Sequence, residues 1–139
     1  MLYANVVKSL GLHTRPCSPI DMIRLTRSGL PRRSAETLQK KLSISTRELA
    51  HMLSVSTRTL QRVDEGERFN SLVSGRLMSI AKVFARAAEV FESEEIAAEW
   101  LKTPCRALGD TKPIELLDTP EGIELVLSEI EAIAYGTVA

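Results

Sequence analysis

The chain has 139 residues, 44% of them hydrophobic, and a formal net charge of zero. This composition excludes a disordered chain and suits one or two small globular modules. No apolar run reaches about eighteen residues, the length of a membrane-spanning helix, and the amino-terminal segment lacks the pattern of a secretory signal peptide. We therefore expect a cytoplasmic protein with no membrane partner.

The residue types that catalysis and metal binding require are few and scattered. His13 and His51 are isolated, and Cys17 and Cys105 lie far apart without a C-x-x-C motif. No P-loop, nucleophile elbow or H-E-x-x-H motif is present. The sequence therefore predicts a protein that is not an enzyme, with no metal site, no cofactor and two free, buried thiols.

Charge is distributed unevenly along the chain. Residues 1–68 contain twelve Lys or Arg and six Asp or Glu, a balance of +6, whereas residues 69–139 contain six and twelve, a balance of −6. Such asymmetry is typical of a basic nucleic-acid-binding module joined to an acidic module with another role. Two ordinary solvated surfaces are the alternative. We place the predicted domain boundary between residues 68 and 69.

Apolar spacing and capping residues predict helices along most of the first ninety or so residues. Ser18 and Pro19 begin a helix that Gly29 ends, and Ser34 is expected to cap the next helix. Residues 73–91 then have apolar side chains at three- and four-residue steps, which predicts a long amphipathic helix.

The acidic half has similar signals. Ser93 and Thr119 are predicted helix caps, Pro113 opens a short turn, and Gly136 ends the last helix. No stretch alternates apolar and polar residues for long enough to require a sheet. The predicted fold class is therefore all-α, with an amino-terminal helix-turn-helix bundle and a small helical carboxyl-terminal domain.

Residues 46–66 predict two short helices joined by a tight turn. Leu49 and Leu53 can face inward from the first helix, and Ser56 can cap the second, whose Leu60 packs back on the first. In a helix-turn-helix the second helix enters the major groove of DNA. The predicted DNA-binding residues in and around this unit are Arg47, Thr57, Arg58, Thr59, Gln61, Arg62 and Arg68.

These residues suit different parts of DNA. Arg58 and Gln61 have donors suited to base edges, whereas Arg47, Arg62 and Arg68 better suit phosphates. A surface hairpin with solvated arginines is the alternative interpretation.

Two parts of the sequence also carry a family resemblance. The first is LSISTRELAHMLSVSTRTLQR. The second is a series in the other half: Ser74-Gly75-Arg76-Leu77, Ala98-x-Trp100-Leu101-x-x-Pro104-x-x-Ala107-Leu108-Gly109, Pro113-x-x-Leu116-Leu117-Asp118-Thr119, Gly122-x-x-x-Val126 and Tyr135-Gly136. They resemble, respectively, the Xre-like helix-turn-helix and the toxin-binding domain of Xre/MbcA/ParS-family antitoxins. Asp110 stands where a second glycine is common, and a turn with positive φ can accommodate it.

The resemblance implies a type II toxin-antitoxin system. Its members pair with a RES-domain toxin, an enzyme that consumes NAD⁺, block the toxin's active site and repress the shared operon. The implied partners are that toxin and operator DNA. We also expect a homodimer or larger assembly, because one recognition helix reads few base pairs. The alternative is a stand-alone helix-turn-helix regulator whose carboxyl-terminal domain only dimerises.

The carboxyl-terminal tail is a candidate toxin contact. A few uncharged residues follow the final helix of an acidic module. A slim chain end with a terminal carboxylate and acidic neighbours can enter a nucleotide pocket that is built to bind phosphate. With the resemblance, this predicts toxin binding by Tyr135, Gly136 and Val138. A frayed terminus is the alternative.

Overall fold

The architecture is built from helices. The structure, a computed structural model, describes residues 2–62 and 67–136. Over these ranges it contains eight α-helices: α1 (Leu2–Ser9), α2 (Pro19–Ser28), α3 (Arg32–Leu42), α4 (Thr46–Met52), α5 (Thr57–Gln61), α6 (Ser71–Phe91), α7 (Glu94–Leu101) and α8 (Pro120–Ala134). Two 3-10 helices, Arg106–Leu108 and Pro113–Leu116, lie between α7 and α8. Neither described range contains a strand, and the predicted all-α fold is confirmed.

Most helices begin where the sequence predicts, because a side-chain oxygen is available to accept from a free backbone N–H. Ser18, Ser56, Ser93 and Thr119 each accept a hydrogen bond from the backbone N–H three residues later. Asn70 does the same for α6. Local sequence therefore determines these starting points.

The predicted cap at Ser34 is wrong. α3 begins at Arg32, after the extended Pro31, so that Ser34 lies inside the first turn. The Ser34 hydroxyl is buried, and it has no hydrogen-bond partner among the described residues. In addition, the sequence patterns above did not predict α1, which adds buried Val6 to the core.

The loop between the two 3-10 helices keeps the expected turn. Gly109 and Asp110 both have positive φ, +69° and +60°. The Cys105 N–H donates to the Thr111 carbonyl at 3.0 Å, which closes the loop. Cys105 is half-buried and Cys17 is exposed, so the prediction of buried thiols is wrong, although both thiols are free.

One hydrophobic core runs through both halves of the chain, and α6 lies at its centre. This helix packs against α1 and α2 from the basic half and against α7 and α8 from the acidic half. Its Leu77, Ile80 and Phe84 side chains are almost completely buried. The same helix therefore supports helices from both halves of the chain.

Candidate functional site

The helix-turn-helix consists of α4, a short turn and α5. At the turn, the Ser54 N–H donates to the His51 carbonyl and the Val55 N–H to the Ala50 carbonyl, both at 3.0 Å. Ser54 has a φ of +57°, so these two bonds form the usual left-handed ending of a helix. Leu53 and Leu60 are buried where the two helices meet, as predicted.

The outward side of α5 is polar. Its exposed side chains, together with that of the residue after it, are Thr57, Arg58, Thr59, Gln61 and Arg62. The Thr59 hydroxyl lies 2.9 Å from the hydroxyl of Ser56, the residue that caps α5. One hydrogen bond of Thr59 is therefore already used within the protein. Apolar side chains are absent from this exposed set, as on the solvent-facing side of most surface helices, and Arg58 and Arg62 add donors that suit a polyanion.

The two remaining predicted DNA-binding residues lie outside α5. Arg47 is exposed on the first turn of α4. Arg68 is exposed, but its Nη1 donates to the Gly29 carbonyl at 3.0 Å and its backbone forms a bridge with Pro31. Part of the Arg68 guanidinium therefore fastens the start of α6 to the end of α2, and only its other N–H groups remain for phosphate.

Two further arginines hold the helix-turn-helix and were not predicted from the sequence. Arg76 of α6 donates from Nη1 to the Leu53 carbonyl at 2.9 Å. Arg32 of α3 donates from Nη1 to the Gln61 carbonyl at 3.2 Å. No sequence signal identified them, because each partner is a main-chain carbonyl more than twenty residues away.

The carboxyl-terminal site begins where α8 ends. Tyr135 follows the helix with 75% of its surface exposed, and its N–H donates to the Glu131 carbonyl at 3.0 Å. Gly136 has a φ of +65°, in the left-handed region, and its N–H donates to the Ile133 carbonyl at 3.2 Å. Val138 lies outside the described residues.

An ion-pair network fixes the last turns of α8 on α6. Arg86 donates from Nε and Nη2 to the two carboxylate oxygens of Glu131, at 2.6 and 2.7 Å, and it also contacts Glu89. The Arg86 hydrogen bond is the main cause that lowers the pKa of Glu131, and the same bond raises the pKa of Arg86. Glu131 is therefore held as a carboxylate just before the exposed tail.

Other kinds of site find no support in the described ranges. No three His, Cys, Asp or Glu side chains there are grouped to hold a metal ion. Among the described helices, none has the length and apolar character to span a membrane.

Two known domain families together match most of the chain. The antitoxin Xre-like helix-turn-helix domain matches residues 21–82, and the antitoxin Xre/MbcA/ParS carboxyl-terminal toxin-binding domain matches residues 86–136. The chain belongs to the Xre/MbcA/ParS antitoxin family. It is accordingly the antitoxin of a toxin-antitoxin system.

Individual relatives agree with this assignment. The chain is 25% identical over 132 residues to the Prs ADP-ribosylating antitoxin of Sphingobium sp. (strain YBL2), covering 88% of this chain and 83% of that protein. It is 27% identical over 113 residues to the antitoxin Xre of Photorhabdus laumondii, covering 80% and 76%. A chain in the crystal structure of the M. tuberculosis MbcT-MbcA toxin-antitoxin complex has a TM-score of 0.57 and 25% identity, covering 78% of this chain and 96% of that one.

The matched ranges correct the sequence resemblance at one place. The segment Ser74-Gly75-Arg76-Leu77 was assigned by resemblance to the toxin-binding domain, yet it lies within the helix-turn-helix match. The two matches meet inside α6, between residues 82 and 86. The predicted boundary between residues 68 and 69 stays a prediction.

Proposed function

We propose that this antitoxin inhibits a RES-domain, NAD⁺-consuming toxin through its carboxyl-terminal part and represses its own operon through α4 and α5. The observation that carries the proposal is the toxin-binding domain matched over residues 86–136. The related MbcA antitoxin was crystallised with its toxin MbcT. The name of the Sphingobium relative refers to ADP-ribosylation, a reaction that takes ADP-ribose from NAD⁺. The protein acts in the cytoplasm by binding, without a cofactor or a reaction of its own.

The proposed repression rests on the polar outward side of α5. In this assignment α5 lies in the major groove, where Arg58 and Gln61 face base edges. Arg47, Arg62 and the remaining donors of Arg68 contact phosphates. A homodimer places two α5 helices about 34–36 Å apart, to match a pseudo-palindromic operator.

The proposed toxin contact is the tail that follows α8. Tyr135 exposes a large aromatic ring, a side chain that is enriched in the well-packed centres of protein interfaces. Among the described residues, no atom beyond Gly136 and its chain neighbours lies within 4 Å of a Cβ added there, which leaves room for a partner beside the main chain. Tyr135, Gly136 and Val138 together form the segment that we propose enters the toxin's nucleotide pocket.

Co-expression with the neighbouring reading frame, which under this proposal encodes a RES-domain toxin, tests the function. The antitoxin should be captured with the toxin and should keep the cellular NAD⁺ level normal. Deletion of residues 135–139 should leave helicity and binding to the upstream promoter intact, yet allow NAD⁺ depletion. Leu72→Ala is the control, because it removes an exposed apolar side chain, 63% accessible, from α6 and leaves the tail intact. This variant should protect the NAD⁺ level as the parent does.

The outcomes separate the parts of the proposal. Failure to capture the toxin would contradict the antitoxin-RES pairing and favour the stand-alone regulator. Full protection by the truncated protein would mean that the body of the domain, and not the tail, blocks the toxin.

A further inference from the structure

We propose that Arg76 is a positioning residue for DNA binding, which holds the turn between α4 and α5 from α6 and so sets the direction of α5. The proposal rests on the proposed operator binding. It concerns a residue that the sequence resemblance had associated with the toxin and that itself touches no DNA.

The Arg76 contact lies at the point where the two helices of the helix-turn-helix change direction. Leu53 caps the carboxyl end of α4, directly after Met52 and before the left-handed Ser54, and it is fully buried. Its carbonyl lies beyond the helical hydrogen-bond ladder and needs a donor from elsewhere. Arg76 Nη1 supplies that donor at 2.9 Å, and its positive charge also suits the carboxyl end of a helix.

Ser74, two residues before Arg76, fastens the same turn of α6 to the basic half. The fully buried Ser74 hydroxyl accepts from the Leu30 N–H at 2.9 Å and donates to the Phe69 carbonyl at 3.2 Å. A Cβ added at Gly75 would lie 3.7 Å from the Thr26 methyl, an ordinary van der Waals distance, so α2 lies beside this turn of α6. Arg76 therefore projects from a fixed base, and its guanidinium can determine where the turn lies.

α5 depends on such external support. It has five residues, and a helix of that length is not stable without tertiary contacts. Leu60 is its one buried side chain. At its far end the Arg32 contact is longer, 3.2 Å, and exposed. The hydrogen bond from Arg76 to the Leu53 carbonyl is part-buried, and it holds the turn that leads into the amino-terminal end of α5.

The test compares Arg76→Met, which keeps the alkyl chain and removes the donors, with Arg76→Lys, which keeps the charge and a donor. Lys82→Met is the matched control, because it removes one positive charge from an exposed position on the same helix. The readouts are amide hydrogen exchange of the DNA-free proteins, and binding to a labelled duplex of the upstream promoter against a scrambled duplex at two salt concentrations. Arg58→Ala serves as the reference for a direct base contact.

We expect Arg76→Met to weaken promoter binding about tenfold, the effect of one lost hydrogen bond to a charged group. Its salt dependence should match that of the parent, because no phosphate contact is lost. Exchange should become faster in residues 53–62 and remain unchanged in α7 and α8. Arg76→Lys should recover most of the affinity, and Lys82→Met should behave like the parent.

Three results would overturn the proposal: parental affinity and exchange in Arg76→Met, a reduced salt dependence that reveals a phosphate contact, or faster exchange throughout the chain. If Arg58→Ala still weakens binding in the first case, operator binding stands and only the role of Arg76 is lost. If the parent does not distinguish the promoter from the scrambled duplex, operator binding fails. In that case, the exchange comparison alone decides whether Arg76 holds the turn.

Discussion

Among single residues, Ser34 and Ser74 form an informative pair. Both lie in helices and both are fully buried. The Ser74 hydroxyl makes two hydrogen bonds, whereas that of Ser34 has no partner within the described ranges. A buried hydroxyl without a partner costs free energy that alanine at the same site does not cost.

We therefore expect Ser34→Ala to raise the free energy of unfolding by about 1 kcal/mol, with a contribution from the higher helix propensity of alanine. Ser74→Ala should lower it by about 1–3 kcal/mol, because the Leu30 N–H loses its acceptor. Urea denaturation of the two variants and the parent measures both effects. A less stable Ser34→Ala protein would show that this hydroxyl does have a partner.

Arg58 and Arg47 should differ in how they affect DNA binding. Arg58→Ala should weaken specific binding by about 1–3 kcal/mol, whereas Arg47→Ala should mainly reduce the salt slope, by about one unit. Gel shifts on the upstream promoter at two salt concentrations distinguish the two effects. Lys112→Ala, an exposed cation in the acidic half, is the control. Parental binding by both arginine variants would refute the assignment of α5 as the recognition helix.

The caps and the long-range arginines show what the sequence could predict. Ser56 and Thr119 were predicted correctly because a cap and the N–H that it accepts from lie three residues apart. Ser34 has the same local chemistry, but the extended backbone at Pro31 starts α3 earlier. Arg32 and Arg76 donate to distant main-chain carbonyls, which have no side-chain signature.

At the level of elements, the contact between α6 and α8 combines a buried apolar interface with the Arg86 pair with Glu131. The pKa of Glu131 is lowered in the folded protein, so the carboxylate stabilises the fold above its ordinary pKa, and that stabilisation is lost as the pH falls through the folded value. The pKa of Arg86 is raised, so its own loss of charge occurs only in strong alkali. The pair therefore acts at neutral pH and disappears in acid.

Glu131→Gln should lower the free energy of unfolding at neutral pH by about 0.2–1 kcal/mol, because the pair is partly exposed to solvent. The difference from the parent should shrink as the pH falls below about 4, where carboxylates take up protons. Urea denaturation across this range measures it, with Glu124→Gln on the exposed side of α8 as the control. A difference that is independent of pH would contradict an electrostatic origin.

For the molecule as a whole, the central position of α6 has consequences for the predicted boundary between residues 68 and 69. Charge predicted two modules, but charge reports only the surface. The buried faces of α1 and α2 are covered by α6, which lies beyond that boundary. The extent of a shared core could not be read from charge, because it depends on which helices pack together.

A fragment of residues 1–68 should therefore remain largely unfolded, and the complete chain should unfold in one transition. Loss of α6 exposes core residues such as Val6, Leu10 and Met22, and burial of apolar surface is the main driving force of folding. Far-UV circular dichroism of the fragment and calorimetry of the complete chain test this. A fragment that folds cooperatively would support an independent domain with the predicted boundary.

The shared helix also bears on how the protein would be removed from the cell. A protease that pulls the chain apart from either end must extract α6, and both halves lose part of their core when that happens. Digestion would then leave neither a free repressor nor a free inhibitor as a stable remnant. Under the proposed function, release of the toxin and derepression of the operon would therefore occur together, at the rate at which the antitoxin is degraded.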